Sequence, residues 1–510
     1  MAVSINGSDM TIEDVVRVAR KREQASLDQQ ARGAVEKSRA YIEKKIAEGA
    51  VIYGITTGFG KFQDTFVTPD NAKKLQRNLL MSHACGVGEP LPEETVRAML
   101  LLRVNALAKG FSGVRPETVD TLIQMLNKGV IPVVPEKGSL GASGDLVQLA
   151  HMALPAIGEG EAFINGVRMS GGDAMKKAGL YPVTLEAKEG LALINGTQAM
   201  CAIGALALYD VREMARTADV LAAMCCEAQL GIKKAFDRKV QEARGHQGQI
   251  DVAANMRNLL EGSGLASELS RDNRVQDAYS IRCTPQIHGG VREALRYVSG
   301  IIDREINAAT DNPLIFADED EVISGGSFHG QPVAIALDTL GTATAVLAGV
   351  SERRLERLVN PDLSNGLPAF LCREGGLNSG FMILQYSAAS MVSENKTYAH
   401  PASADSIPSS ANQEDYVSMG TTAARTARMI ADNARSVLAI ELFAECQALC
   451  IRGDEKAAPP LKAVYDIVRA AGVPAVTNDI VMYPEIKKCE AMIAEGQITK
   501  AAESVCGKLL

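Results

Sequence analysis

The chain has 510 residues, room for about three domain-sized units or one large helical body, and it can bury a substantial core without cross-links. With 46% hydrophobic and 22% charged residues it has the composition of a soluble globular protein, which excludes a disordered chain, a collagen and a coiled-coil rod. The formal charge is −8 and no Lys/Arg cluster is interleaved with aromatics, so neither nucleic acid nor a membrane surface is an expected partner.

From the N-terminus, Glu13, Asp14, Arg17 and Arg20 mix both charges within the first turns, which is not the pattern of a signal peptide. Glycine and proline then crowd the chain from Gly54 to Gly144, predicting loops and tight turns between short helices. The uncharged stretch from Gly190 to Tyr209 has the length of a membrane span. Its middle carries Asn195-Gly196-Thr197-Gln198, and a polar quartet there reads as the buried, functional start of a helix.

Beyond Pro182 there is no proline until Pro285, and the stretches between Pro332 and Pro361 and from Ser409 to Ala458 are also free of it. Within them Val333, Leu337, Leu340 and Leu347, and then Leu438, Leu442, Cys446 and Leu449, recur at helical spacing. Pro332 suits a first helical position, and Arg353, Arg354 and Arg357 suit a helix C-terminus before Pro361. The expectation is a mainly α protein: a glycine-rich N-terminal region over 1–200, then a long antiparallel helical bundle over 201–510.

Ten cysteines could mean disulfides, but they stand as singles, one adjacent pair (Cys225, Cys226) and one i,i+4 pair (Cys446, Cys450). Neither CxxC nor a Cys/His quartet occurs, so no metal site is expected, and reduced core cysteines in a cytoplasmic protein fit best. Two glycine motifs fail as familiar signatures. In the segment from Gly54 to Phe62, Gly54 is one residue too far from Gly60-Lys61, and Phe62 replaces the Ser/Thr of a phosphate loop. In Gly141-Ala142-Ser143-Gly144-Asp145 an aspartate stands where a nucleophile elbow needs glycine, and the strands of an α/β-hydrolase are missing.

The same tripeptide lies within a series of stretches: YGITTGFG from Tyr53, SHACGVG from Ser82, GSLGASGDLVQLAHMALPAIGEG from Gly138, NGTQ from Asn195 and VQDAYSIRCTPQIHG from Val275. TDNPL from Thr310, FHGQP from Phe328, SENKTYAHPAS from Ser393 and SSANQEDYVSMG from Ser409 complete it. In these motifs and their order the chain resembles the aromatic amino acid ammonia-lyase and aminomutase family over nearly its whole length. The resemblance implies a helical fold of the fumarase and aspartase type. It also implies autocatalytic cyclisation of Ala142-Ser143-Gly144 to 4-methylideneimidazol-5-one (MIO), with no metal or added organic cofactor.

The residue types suit that chemistry. Glycine leaves the backbone nitrogen of Gly144 unhindered for attack on the Ala142 carbonyl with loss of water, and Ser143 loses a second water to leave an exocyclic methylene. The product is an electrophile, which no ordinary side chain provides. Breaking a weakly acidic β C–H and expelling an amine calls for such a group together with a positioned base.

The resemblance points to Tyr53 as that base, with Tyr279 as a second catalytic tyrosine and Arg282 as the clamp for the substrate carboxylate. Asn195 and Gln276 match residues that hold the cofactor oxygen or the carboxylate, and Phe328 matches a pocket-lining ring. Ser82-His83 and Glu414 match the family's histidine enzymes, and a carboxylate with an imidazole can bond the ring nitrogens of an imidazole substrate. The implied reaction is non-oxidative loss of ammonia from L-histidine to trans-urocanate, the first step of histidine degradation, by a homotetramer with shared active sites.

Thr56 and Ser327 stand where Asn is common, and Tyr416 where histidine enzymes often have His. An aminomutase using the same group is the nearest alternative. A catalytically silent helical scaffold would not need Ala142-Ser143-Gly144, Tyr53 and Arg282, and a fumarase-like lyase would carry a different serine-rich loop.

Overall fold

The computed structural model describes residues 2–58, 65–269 and 274–510. Gly60, Lys61 and Phe62 of the rejected phosphate-loop reading lie outside them. The fold is mainly helical, and it divides into two compact units. The first comprises Met1–Leu206, Ser299–Asp338 and Pro401–Arg425, and the second Ala207–Val298, Thr339–His400 and Thr426–Leu510.

At the centre of the first unit runs the helix Glu93–Ala108, in which every residue from Thr95 to Ala108 is buried. A helix apolar on all sides belongs inside a fold, and Met99-Leu100-Leu101-Leu102 makes it so. Its two buried arginines reach backbone carbonyls. Arg97 donates to Val18 O at 2.9 and 3.1 Å and to Leu126 O at 3.0 Å, and Arg103 donates to Asn195 O at 2.8 Å. A further buried cation, Lys188, lies 2.5 Å from Asp311, as the requirement that an interior charge be paired demands.

The first unit also holds four small sheets that the sequence pattern did not predict. Val3–Ile5 pairs in parallel with Ala25–Leu27, and Val87–Pro90 pairs antiparallel with Pro135–Lys137. Ile131–Pro132, Glu161–Ile164 and Val167–Ser170 form a three-stranded sheet, and Leu314–Phe316 pairs with Glu321–Ile323. Strands of two to four residues are too short to display a period of two.

Long helices lie in the three proline-free stretches, at Gln198–Ala228, Gln331–Val359 and Gly420–Arg452, and a further one, Thr284–Glu305, starts across Pro285, outside them. All eight expected seam residues, from Val333 to Leu347 and from Leu438 to Leu449, are buried. Pro332 falls in the first turn of its helix, and Pro361 follows that helix's end. This helix is long and apolar enough to cross a membrane, yet 61% of its most apolar stretch is buried within the protein. The uncharged stretch from Gly190 is cut into two helices, Glu189–Ile194 and the one beginning at Gln198, with the break at Asn195-Gly196-Thr197 as expected.

The core of the second unit mixes small residues with a polar axis. Arg354 and Glu441 form a fully buried ion pair, Glu441 also accepts from Ser351, and His288 lies 2.7 Å from Asp219. Phe381 and Phe443 meet edge to face with centroids 4.9 Å apart.

Because Leu101 is fully buried on the central helix of the first unit, Leu101→Ala is expected to lower unfolding stability by about 2–5 kcal/mol. Denaturant titration of wild type and variant measures the difference.

Candidate active site

The tripeptide sits in a turn bounded by two left-handed glycines, Gly141 at φ +77° and Gly144 at φ +73°. Both positions require glycine. A Cβ on Gly144 would lie 2.1 Å from Gly196 O, and one on Gly141 would lie 2.2 Å from Ser418 Oγ. The turn is pinned on every side: Ser139 Oγ donates to Gly144 O at 3.1 Å, Ser418 Oγ to Gly141 O at 3.2 Å, and Asp145 N to Gly196 O at 2.7 Å. Ala142 and Ser143 are left half-buried at its tip.

Ser143 opens into a cavity of about 810 Å³, a suitable size for an amino acid. Tyr53, Ser82, His83, Asn195 and Glu414 line it with Ser143, and Leu75, Leu79, Leu146, Leu191 and Ile194 supply apolar walls. Ser143 Oγ donates to Glu414 Oε1 at 3.3 Å across 271 positions of sequence. Ser409 Oγ donates to the other carboxylate oxygen at 3.0 Å.

Each lining residue is delivered by a local device. His83 ends the helix Pro69–His83, and Ser82 Oγ lies 3.0 Å from its Nδ1. Burial is the main cause that holds the His83 imidazole below its ordinary pKa of 6.5, so the ring is neutral near pH 7 and can both donate and accept. Tyr53 lies on a turn tied by Thr56, whose Oγ1 accepts from Ile52 N at 2.8 Å and donates to Ala50 O at 2.9 Å. The hydroxyl at position 56 thus closes the turn in place of the more common Asn.

Asn195 caps the helix Glu189–Ile194 and is buried, and its side-chain Oδ1 has no partner among the described residues. A buried amide that its own protein leaves unanswered fits a polar group in the cavity. Together with the turn that admits only glycine at 144, it shows that the residues present suit a ring built from Ala142-Ser143-Gly144.

The other expected residues are placed differently. Gln276, Tyr279 and Arg282 belong to the second unit. Tyr279 and Arg282 share the short helix Tyr279–Arg282, with the guanidinium 4.6 Å from the ring centroid, as their spacing predicts. Tyr279 is 69% exposed and Gln276 is exposed, while the buried Asp277 between them accepts from Ile232 N at 2.6 Å and anchors the segment. Phe328 is half-buried, and it is not one of the residues that line the cavity. Glu414 sits in a loop, since the chain turns left-handed just before it.

Asp145 escaped the sequence reading. Coming after a glycine turn and before an apolar run, it reads as a cap of its own helix, Leu146–Ala153, yet its side chain makes no such bond. Its carboxylate instead accepts from Ala199 N and Met200 N, both at 2.9 Å, at the start of the helix Gln198–Ala228, and from Thr421 Oγ1. No local signal could reveal a cap 54 positions away.

A helical fold with a glycine-bounded Ala-Ser-Gly turn at the mouth of an amino-acid-sized cavity defines a carbon–nitrogen lyase of the aromatic amino acid class. A family model described as "Aromatic amino acid lyase" matches residues 10–470, and the chain belongs to that family. It is 57% identical over 503 residues to a histidine ammonia-lyase of Alkaliphilus metalliredigens (strain QYMF), with 99% of each chain covered. Among solved structures, the histidine ammonia-lyase from Trypanosoma cruzi is similar at TM-score 0.93 and 42% identity, covering 99% of this chain and 96% of that one. The tyrosine aminomutase from Streptomyces globisporus is similar at TM-score 0.95 and 38% identity, with 99% of each covered.

Burial is the main cause that pushes Asp145 up from 3.8 to about 6, against the hydrogen bonds it receives. The folded state therefore holds this proton more tightly than the unfolded chain. The stability it contributes is complete below about pH 4 and is lost as pH rises through about 6, by up to roughly 1.4 kcal/mol per unit. Asp145→Asn, which mimics the neutral form, is expected to lack this slope, and melting temperatures of both proteins from pH 4 to 7 measure it.

Proposed function

We propose that the chain removes ammonia from L-histidine by non-oxidative elimination, releasing trans-urocanate in the first step of histidine degradation. The observation that carries this reading is the meeting, in one cavity, of Ser143 of the Ala-Ser-Gly turn with Glu414 and His83. The sequence is also nearer to the relative named as a histidine ammonia-lyase, at 57% identity, than to the tyrosine aminomutase, at 38%.

MIO, made from Ala142-Ser143-Gly144 with no metal or added organic cofactor, would supply an electrophilic methylene for the substrate amine. Asn195, buried with an unanswered amide oxygen, faces the same cavity and would orient the polar groups brought there. Tyr53 takes the β proton. Glu414 accepts an imidazole N–H, and the neutral His83 ring completes recognition through the second ring nitrogen. A phenyl ring would desolvate the Glu414 carboxylate and return no hydrogen bond, which selects against phenylalanine. The leucine and isoleucine walls give the substrate an apolar surface to pack on.

The roles of Gln276, Tyr279, Arg282 and Phe328 follow the family pattern: Arg282 and Gln276 bind the substrate carboxylate, Tyr279 is the second tyrosine, and Phe328 packs on the ring. We assign them to a homotetramer in which these residues of one subunit serve the cavity of another, which accords with the exposure of Tyr279 and Gln276.

Purified wild type is expected to raise urocanate absorbance from L-histidine with nothing added, and Ser143→Ala to lower the rate by roughly a thousandfold or more. Equal rates would refute the assignment, and a β-amino acid product would turn it to an aminomutase. Glu414→Gln is expected to raise KM for histidine roughly tenfold to a hundredfold. Co-expression of Ser143→Ala chains with Arg282→Ala chains is expected to restore activity that neither variant has alone. A mixture as inactive as its parents would place both residues in sites of a single chain.

A further inference from the structure

The side chain that reads the substrate ring stands on a loop, and a loop carboxylate needs a separate device to hold it. Ser410, Ala411 and Asn412 take φ of 50°, 54° and 65°, three consecutive non-glycine residues in the left-handed region. Each is strained, and such strain persists only where the surroundings impose it. This turn brings Ser409 against Glu414, and their backbones exchange two hydrogen bonds, Ser409 N to Glu414 O at 2.9 Å and Glu414 N to Ser409 O at 3.3 Å. The hydroxyl of Ser409 then closes the clamp on Glu414 Oε2 at 3.0 Å.

The two carboxylate oxygens are thus treated differently. Among the described residues Oε1 accepts only from Ser143 Oγ, at a long 3.3 Å, and the Ser143 hydroxyl oxygen would leave as water with the Ser143 Cα hydrogen on cyclisation of the tripeptide. Oε2 keeps its serine throughout. From this asymmetry we infer that Ser409 is a positioning residue for ring specificity: it ties down Oε2 so that Oε1, once released from Ser143, points at the imidazole N–H of the substrate. The inference rests on the histidine reading above and adds to it the residue that orients Glu414.

A hydroxyl fixing one oxygen of a recognition carboxylate changes binding of a ring that donates a hydrogen bond, and leaves alone a ring that donates none. Ser409→Ala is therefore expected to raise KM for L-histidine roughly tenfold with kcat changed less than about threefold, the effect of one hydrogen bond to a charged acceptor. The inhibition constant of L-phenylalanine, which shares the carboxylate and amine but offers no ring N–H, is expected to stay the same. Ser409→Thr, which keeps the hydroxyl, is expected to restore the wild-type KM. Calorimetric titration of L-histidine into Ser143→Ala, and into Ser143→Ala with Ser409→Ala, reads the same loss of affinity without turnover.

An unchanged histidine KM in Ser409→Ala, or a parallel weakening of phenylalanine inhibition, would overturn the inference while leaving the parent function in place. A wild-type protein that neither binds nor converts histidine would overturn both.

Discussion

The catalytic end of this molecule depends on one close approach, the chain at Gly144 lying against Gly196. No side chain fits between them, since a Cβ on Gly144 would sit 2.1 Å from Gly196 O and one on Gly196 would collide with Gln198, Thr310 and Arg103. Because the two glycines touch, Asp145 N reaches Gly196 O, and the Asp145 carboxylate reaches the first amides of the helix Gln198–Ala228. On the other side, buried Arg103 grips Asn195 O and Gln198 Oε1, at 2.8 and 3.0 Å. The tripeptide turn, the break at Asn195 and the start of the helix Gln198–Ala228 are one mechanical assembly.

Buried charged groups of the first unit either hold backbone, as Arg97 and Arg103 do, or are paired, as Lys188 is with Asp311. The cavity itself is walled in part by leucine and isoleucine, and its polar lining includes a tyrosine, a neutral histidine, an unanswered amide, one carboxylate, and the side chains of Thr65, Asn78, Ser82, Ser143 and Ser410. On the histidine reading proposed above, a carboxylate among apolar walls makes a substrate ring without an N–H costly to bind.

Much of the fold was legible from residue patterns. Proline-free runs marked the long helices, their apolar seams proved to be the buried faces, and the polar quartet from Asn195 marked a helix start within an uncharged stretch. The small sheets were not legible, because two to four residues carry no periodicity. In the site, the Ala-Ser-Gly turn, Tyr53, His83, Asn195 and Glu414 were found through family motifs, and the cavity gathers all of their positions except the buried Gly144 and the turn residue Ala142. Asp145 and Ser409 were assigned no role from the sequence, since their partners lie across the fold or a strained loop that local spacing does not encode.

The sequence by itself determined the residue types the chemistry needs, the helical texture that carries them and, through ordered motifs, the family. These follow from interactions among residues a few positions apart, or from direct comparison of side chains. Only the tertiary structure decided that Ser143 and Glu414, 271 positions apart, share a hydrogen bond, and that the aspartate beside the tripeptide caps a distant helix. Such contacts arise from packing, where many small contributions bring remote segments together, and no single stretch of sequence holds the record of it.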